Sequence, residues 1–491
     1  MKDNLILIMA DQLRADVLSP ELTPNIWSIK EKGVSFTRAY CACPLCVPSR
    51  GAFFTGVFPN RNGSLINPWV EEDKRHGDVK DGFDNLYGMM QDGWDSIHSG
   101  KQHLFTEGGK LENRTDCRVR FVATETTYHD FLEKNGKRRP GGLKFKTPVP
   151  EMVGGRKTRL ARYSNPSVGV YGEGAEYFYD NYFAAKALEA LKTRDKTKPL
   201  FLSAMFVAPH PPLEIPEPWF SRVREEAVAL PENVGKFYKY QSPLQMYNLT
   251  GVIGGHYSLK QWRESWRVYL GLVSLLDDLV GQILTELKTQ GIYDDSLIVF
   301  TSDHGEMLGS HSLYQKMCMY EESARVPLFM KFPEGFRSER KEYEAVVSLI
   351  DVVPTLSEYF GLRHDNAFDG VSLLPLISTG TDESLPESIF LQYDGNGSRS
   401  NFQRCVVKGK YKLTVDLFKD EYYLELYNVV DDRQETENLV FASDEFDPLI
   451  EEMLAELEAH MRETGDLISL PEIEIPSFRN RYCTIGAKQF G

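Results

Sequence analysis

Three stretches of this chain are predominantly apolar, and each stops abruptly at a polar side chain. Leu5–Ala10 ends at Asp11, Leu200–Val207 runs up to Pro209-His210, and Leu297–Ser302 ends at Asp303. Short apolar runs without polar alternation suit strands buried on both faces, as in a mostly parallel sheet covered by helices. Helix-like segments separate them. Pro24–Lys32 has Thr23 placed as N-cap and Pro24 at its first position, and Gly33 ends it before the extended segment Val34–Phe36. Trp266–Leu287 presents an apolar face through Leu270, Val273, Leu276, Val280, Ile283 and Leu287. Such alternation over the first three-quarters implies an α/β sandwich. Open sheets of this kind bind ligands outside the carboxyl ends of their strands, so the residues following each run are the first candidates for chemistry.

After about Pro386 the texture changes. Ile389–Tyr393, Arg404–Val407, Tyr411–Val415 and Glu425–Tyr427 read as short antiparallel strands separated by Gly, Asp and Lys turns. An amphipathic helix over about Asp447–Arg462 follows, with Leu449, Met453, Leu454 and Leu457 on one stripe. The expected fold is α/β: a large mixed, mostly parallel sheet sandwiched by helices over residues 1–385, then a smaller C-terminal α+β domain (short antiparallel sheet plus helix) over 386–491. A length of 491 residues, beyond the usual single hydrophobic core, agrees with two units.

The net charge of −15 argues against a nucleic-acid partner. The run Leu5–Ala10 is too short to span a membrane and no small-residue cleavage site follows it. No membrane partner is expected, and the expected location is cytoplasmic, or periplasmic if a leader has been removed. Seven irregularly spaced cysteines suit a reducing compartment better than a disulfide framework. Positive charge gathers between Lys134 and Arg162, at Lys137, Arg138, Arg139, Lys144, Lys146, Arg156, Lys157 and Arg159. The plain reading is a solvated loop, and the sharper one is a rim that attracts an anionic substrate.

The densest cluster of reactive residue types is Cys46-Val47-Pro48-Ser49-Arg50, followed by Gly51–Gly56. Cys43-Pro44-Leu45-Cys46 would also serve as a redox pair or half a zinc site, but no second such pair follows and Cys41 crowds it. Four further segments carry charge or imidazole: Asp11-Gln12, Gly100-Lys101-Gln102-His103, Pro209-His210-Pro211-Pro212 and Thr301-Ser302-Asp303-His304-Gly305-Glu306, the last continuing to Lys316 and Tyr320–Pro327. Singly, each has a bland explanation: Asp11 as a strand-end turn residue, His210 as a loop histidine beside prolines, Asp303–Gly305 as a turn. Their joint placement at strand ends favours one assembled site.

The pentapeptide resembles the maturation signature of type I, formylglycine-dependent sulfatases of the alkaline phosphatase superfamily, and the other segments follow in that family's order. Glu425–Asn428 and Glu435–Leu439 are similar to the family's small domain. The resemblance implies that Cys46 is oxidised by a formylglycine-generating maturation enzyme, and that the hydrated aldehyde is the nucleophile. It implies one divalent metal held by Asp11, Gln12, Asp303, His304 and the oxygen of residue 46, with Ca2+ first and Mg2+ or Mn2+ as the other candidates. Arg50 would orient the hydrate, Lys101 and Lys316 would bind sulfate oxygens, and His210 with Lys316 would assist the leaving alkoxide. His103 would take a proton from the hydrate, so that the covalent sulfate ester collapses and the aldehyde is regenerated.

The chemistry accounts for these residue types. An anionic sulfate ester must be neutralised before attack at sulfur, which a hard cation on oxygen ligands and fixed positive charges accomplish. A covalent intermediate splits one hard displacement into two easier ones, and a positioned imidazole adds ~10²–10⁴ in rate.

Asp11-Gln12 and Asp303-His304 stand where many sulfatases carry Asp-Asp and Asp-Asn, and they resemble the branch of choline sulfatases and phosphonate monoester hydrolases. Hydrolysis of a phosphonate monoester or phosphodiester is therefore the alternative activity. Ser49 after the proline and the presence of both Lys101 and His103 favour sulfate. A relative that only binds sulfated ligands would be expected to have lost a charged residue, and none is missing. Sugar sulfates are the first-choice substrate, from the basic stretch and the nearby Tyr163, Tyr171, Tyr177, Phe178 and Tyr179. Small alcohol sulfates such as choline sulfate remain, and an oligomer stays open.

Overall fold

The computed structural model describes residues 3–69, 75–153 and 156–489. Its central sheet comprises β1 (Asn4–Asp11), β2 (Val34–Tyr40), β3 (Asp95–Gly100), β4 (Arg120–Ala123), β5 (Leu200–Pro209), β6 (Ser296–Ser302), β7 (Arg325–Lys331) and β8 (Glu342–Ser348), in the spatial order β8-β2-β7-β6-β1-β5-β3-β4. β1 runs parallel to both neighbours, with Leu5 opposite Leu297 on β6 and Phe201 on β5. β7 alone runs antiparallel to the strands beside it. The carboxyl ends of β1, β2, β3, β5 and β6 therefore share one edge.

The helices that cover this sheet and frame the site are α1 (Pro24–Lys32), α2 (Cys46–Thr55), α3 (Glu125–Lys134), α4 (Tyr179–Lys192), α5 (Leu259–Thr289) and α6 (Val352–Phe360). Because strand side chains alternate, Ile6, Ile8 and Ala10 pack with α1, α4 and α5, while Leu5, Leu7 and Met9 pack with α2 and α6. Both faces of β1 are thus buried, as its apolar run predicts. α5 begins at Leu259 rather than Trp266 because Ser258 and Gln261 form a reciprocal capping box. It is long and apolar enough to cross a membrane, but 72% of its apolar window is buried inside the protein, so it serves as a core helix. Thr23 precedes α1 without capping it, its hydroxyl donating instead to the Ser19 carbonyl at 2.9 Å.

A second, antiparallel sheet contains β9 (Ser388–Tyr393), β10 (Phe402–Lys408), β11 (Tyr411–Phe418) and β12 (Glu421–Asn428), followed by α7 (Asp447–Glu463) and α8 (Ile475–Gln489). Its strands have two apolar faces. Ile389, Leu391, Cys405 and Val407 join the main core, whereas Val406, Leu413 and Val415 pack on Ile450, Met453 and Leu457 of α7. The basic stretch differs from the expected loop: Lys146–Val153 and Arg156–Ser164 pair as an antiparallel hairpin. Pro148, Pro150 and the dense cations mask the two-residue alternation that marks a strand. The side chains of Arg156, Lys157 and Arg159 lie outside the described residues.

Candidate active site

Each candidate side chain leaves the sheet at its carboxyl edge. Asp11 is the last residue of β1, Asp303 and His304 follow β6, His210 follows β5, and Cys46 is the first residue of α2 after β2. Gly100 closes β3 with φ +120°, and a Cβ there would stand 1.8 Å from the Met205 carbonyl oxygen, so only glycine turns the chain into Lys101. Non-glycine residues with positive φ gather here: Gln12 (68°), His103 (46°), and Gln315 (70°) and Met317 (78°) on either side of Lys316. Each such conformation costs on the order of 1–3 kcal/mol and persists only where the surrounding structure dictates it.

The floor of the site is a buried set of opposite charges. Arg50, with no solvent exposure, donates from Nε to Asp303 Oδ2 at 2.9 Å and from Nη2 to Asp11 Oδ2 at 3.2 Å. Its Nη1 donates to the Lys101 carbonyl at 2.8 Å. Arg50 thereby clamps two carboxylates from different strands. Lys101 Nζ sits 2.5 Å from Asp11 Oδ2. Burial alone would raise Asp11, but Lys101, His210 and Arg50 hold it well below the usual carboxylate range. Burial and the neighbouring Asp11 charge push Asp303 up.

Ligand atoms of Asp11, Cys46, Asp303 and His304 lie within 4.8 Å of one another. That span suits a hard cation whose ligands stand about 2.3–2.6 Å from it. His304 Nδ1 donates to the Gly305 carbonyl at 3.0 Å, which turns Nε2 toward Cys46 Sγ at 3.2 Å. Imidazole is a softer donor than the carboxylates around it, so the set is mixed, though four-fifths of the expected ligands are oxygen donors once residue 46 carries oxygen. Gln12 lies beside this cluster. Its Nε2 donates to Glu306, its Oε1 accepts from Lys316 Nζ, and its backbone N–H donates to Asp303 Oδ1 at 3.1 Å.

Cys46 opens into a cleft of about 620 Å³ that Lys101, His103, His210 and Lys316 also line. Burial would raise its thiol, yet Lys316, Lys101, His304 and His103 bring it well below its ordinary value. The sulfur occupies the place that the oxygens of a matured residue 46 would take. Lys316 Nζ meets His210 Nε2 at 3.0 Å, and His210 Nδ1 donates to the Pro211 carbonyl at 2.5 Å. Burial, Lys316 and Lys101 lower His210 to about 4, so it stands as a neutral acceptor that holds the lysine.

Several residues escaped the sequence reading. Glu125, the first residue of α3, holds His103 Nε2 at 3.1 Å. Against burial and Lys101, Glu125 and Cys46 raise His103. The other ring nitrogen, Nδ1, is buried without a hydrogen-bond partner, an orphaned polar atom beside Cys46. Asn67 lines the cleft with its Oδ1 fixed by the Val47 N–H at 3.0 Å. Tyr179, one of the aromatics the sequence reading did name, also lines it and has an orphaned hydroxyl. Asp180 accepts from the Val207 and Ala208 N–H groups at 2.7 and 2.8 Å and so shapes the turn into His210. Thr124 and Thr127 mark the start of α3 as a capping pair, but nothing in the sequence pairs Glu125 with His103. Of the aromatics expected near a substrate, Tyr163 and Tyr179 line the cleft, Tyr179 from the edge of the core, whereas Tyr171 and Phe178 lie in the core and Tyr177 packs against it.

Comparison with known proteins agrees with this geometry. A family model described as Sulfatase matches residues 3–362, and one described as N-sulphoglucosamine sulphohydrolase, C-terminal, matches residues 309–463. An arylsulfatase of Clostridium perfringens is 27% identical over 470 residues, which cover 90% of each chain. The crystal structure of a phosphonate monoester hydrolase of Agrobacterium radiobacter superposes with a TM-score of 0.76 at 21% identity, covering 94% of this chain and 96% of that one. A protein solved with its substrate D-glucosamine-2-N,6-O-disulfate superposes with a TM-score of 0.68 at 20% identity, covering 95% and 99%.

Proposed function

From the premise that this chain belongs to the sulfatase family and is a sulfuric ester hydrolase, we propose that residue 46, matured to formylglycine, attacks a sulfate ester bound in the cleft. The observation that carries this reading is the setting of Cys46. A buried side chain faces Lys101, Lys316 and His304, with an unpartnered His103 nitrogen beside it. The thiol interacts with His103 without giving Nδ1 a partner of ordinary hydrogen-bond geometry, and the hydroxyls of a hydrated aldehyde would supply one. Asp11, Gln12, Asp303, His304 and residue 46 would hold the divalent cation, calcium first, which supplies Lewis-acid neutralisation of the sulfate charge.

The chain's own residues then divide the work. Lys101 and Lys316 bind sulfate oxygens, and their fixed charges stabilise the negative charge that builds during displacement. Lys316 would also supply the proton to the leaving oxygen, with the neutral His210 accepting from it and aiming it. His103, oriented by Glu125, takes the proton of the second hydroxyl on residue 46. Arg50 keeps Asp11 and Asp303 in register instead of reaching into the cleft. The substrate class we favour is a sulfated saccharide, supported by the cleft's size and by Tyr163 and Tyr179 on its wall.

Phosphonate monoester hydrolysis is the second reading, favoured by the Asp11-Gln12 and Asp303-His304 pairs. The test is turnover of 4-nitrophenyl sulfate against 4-nitrophenyl phenylphosphonate by matured enzyme, stripped by chelator and then reloaded with calcium or magnesium. Preferred sulfate turnover that returns with calcium supports the proposal. Preferred phosphonate turnover supports the second reading, and sulfate turnover that survives chelation contradicts the metal assignment.

A further inference from the structure

The cations of the basic stretch fall into two groups. Lys137 and Arg138 are neutralised: Lys137 Nζ lies 3.7 Å from Glu173, and Arg138 pairs with Glu214 at 2.6 Å and Glu173 at 3.5 Å. Lys144 is turned to the Val168 carbonyl at 2.8 Å. Arg139, Lys146 and Arg162 behave differently. All three line the cleft that holds Cys46, and among the described residues none makes an ion pair with a carboxylate. Lys146 Nζ donates to Ser164 Oγ at 3.1 Å, a neutral partner from the facing hairpin strand. Burial, Arg139 and Lys316 lower Lys146, so it feels those two cations in a cleft whose lining also includes the carboxylates Glu125 and Glu151. In a protein of net charge −15, three cations with no ion-pair partner among the described residues make this wall a local positive face that attracts an anionic ligand.

We propose that Arg139, Lys146 and Arg162 form a second anion subsite, which takes a further carboxylate or sulfate group on the same saccharide whose sulfate ester meets residue 46. Arg139 and Arg162 offer forked donors suited to a carboxylate or sulfate, and Lys146 adds a point charge at the base of the hairpin. The wall selects substrates with two anionic groups over those with one. This inference rests on the sulfatase reading of the cleft.

The experiment uses matured full-length enzyme and the double variant Arg139→Ala/Arg162→Ala, both of whose parent side chains are exposed. Each is assayed on 4-nitrophenyl sulfate, on D-glucosamine 6-sulfate, on D-glucosamine-2-N,6-O-disulfate and on a sulfated uronic-acid disaccharide. The expected result is that at least one dianionic saccharide is preferred over the monosulfated sugar. In the variant its kcat/KM, divided by that for 4-nitrophenyl sulfate, falls at least ~tenfold through KM. Lys146→Gln gives a smaller fall in the same ratio, and raised ionic strength erodes the preference. Which dianion responds separates the carboxylate source from the second sulfate. Aryl sulfate turnover with no preference for dianions, or an unchanged ratio in the variant, overturns the subsite while leaving the sulfatase reading intact. Absence of turnover on every sulfate overturns both.

Discussion

Among the described residues, two buried lysines hold carboxylates, and they serve opposite ends. Lys101 pairs with Asp11 at the carboxyl edge of the central sheet, its side chain 6% exposed where the cleft begins. Lys412 on β11 pairs with Glu321 and Glu435, each at 2.8 Å, and is sealed between the two sheets. Around it, Arg325 and Tyr40 also reach Glu321, and the Glu321 N–H donates to Glu435 at 2.7 Å. The second cluster thus joins the Tyr320–Pro327 segment to the Glu435–Leu439 segment, and neither lines the cleft. Similar chemistry produces a weld where the charges meet only each other, and a site where one side is left open to an incoming anion.

That contrast can be broken at several points. The largest effect is expected from Cys46→Ala, which should lower sulfate turnover by on the order of 10⁴ or more with the folded state retained, read by kinetics and circular dichroism. Lys412→Met should instead cost ~3–5 kcal/mol of stability in denaturant melts, because it strands two buried carboxylates, while kcat of the folded fraction is kept. Lys101→Ala should reduce kcat/KM by ~10²–10³ and shift the melt less than Lys412→Met does. If the two lysine variants gave the same pattern, the division into site and weld would fail.

Glu125→Gln sharpens the account at smaller scale, with an expected loss of ~10–100-fold in kcat/KM. Its pH profile carries the diagnostic. Burial and Lys101 lower His103, and the Glu125 charge helps raise it, so removal of that charge lowers it again. His103 acts as a base once neutral, so the rising limb of the profile should move to lower pH as its plateau falls. A plateau that falls with an unmoved limb would make Glu125 a packing residue only.

The floor of the site was legible because strands buried on both faces have no reason to end in Asp11 or Asp303 unless those side chains work at the sheet edge. Cys46 and Lys101 were legible through short motifs bound to tight local geometry, such as the turn at Gly100. The wall was not. Lys146–Ser164 forms a hairpin whose prolines and cations erase the alternation of a strand, and its contribution to the cleft depends on how it folds over the sheet. Glu125 and Asp180 were missed for the same reason, since each acts on a partner 22 or more positions away that only the tertiary fold supplies. Arg50 was found through the pentapeptide, while its clamp across Asp11 and Asp303 depends on the registry of β1 and β6, which the sequence does not show.

The central claim is that the matured form of residue 46 performs the chemistry. Its most direct test pairs peptide mass spectrometry of the fragment containing Cys46 with sulfate turnover, on samples prepared with graded amounts of a formylglycine-generating enzyme. Turnover that rises in proportion to the aldehyde fraction and vanishes when residue 46 is wholly cysteine is the predicted result. Undiminished turnover in samples where residue 46 is entirely cysteine would contradict it.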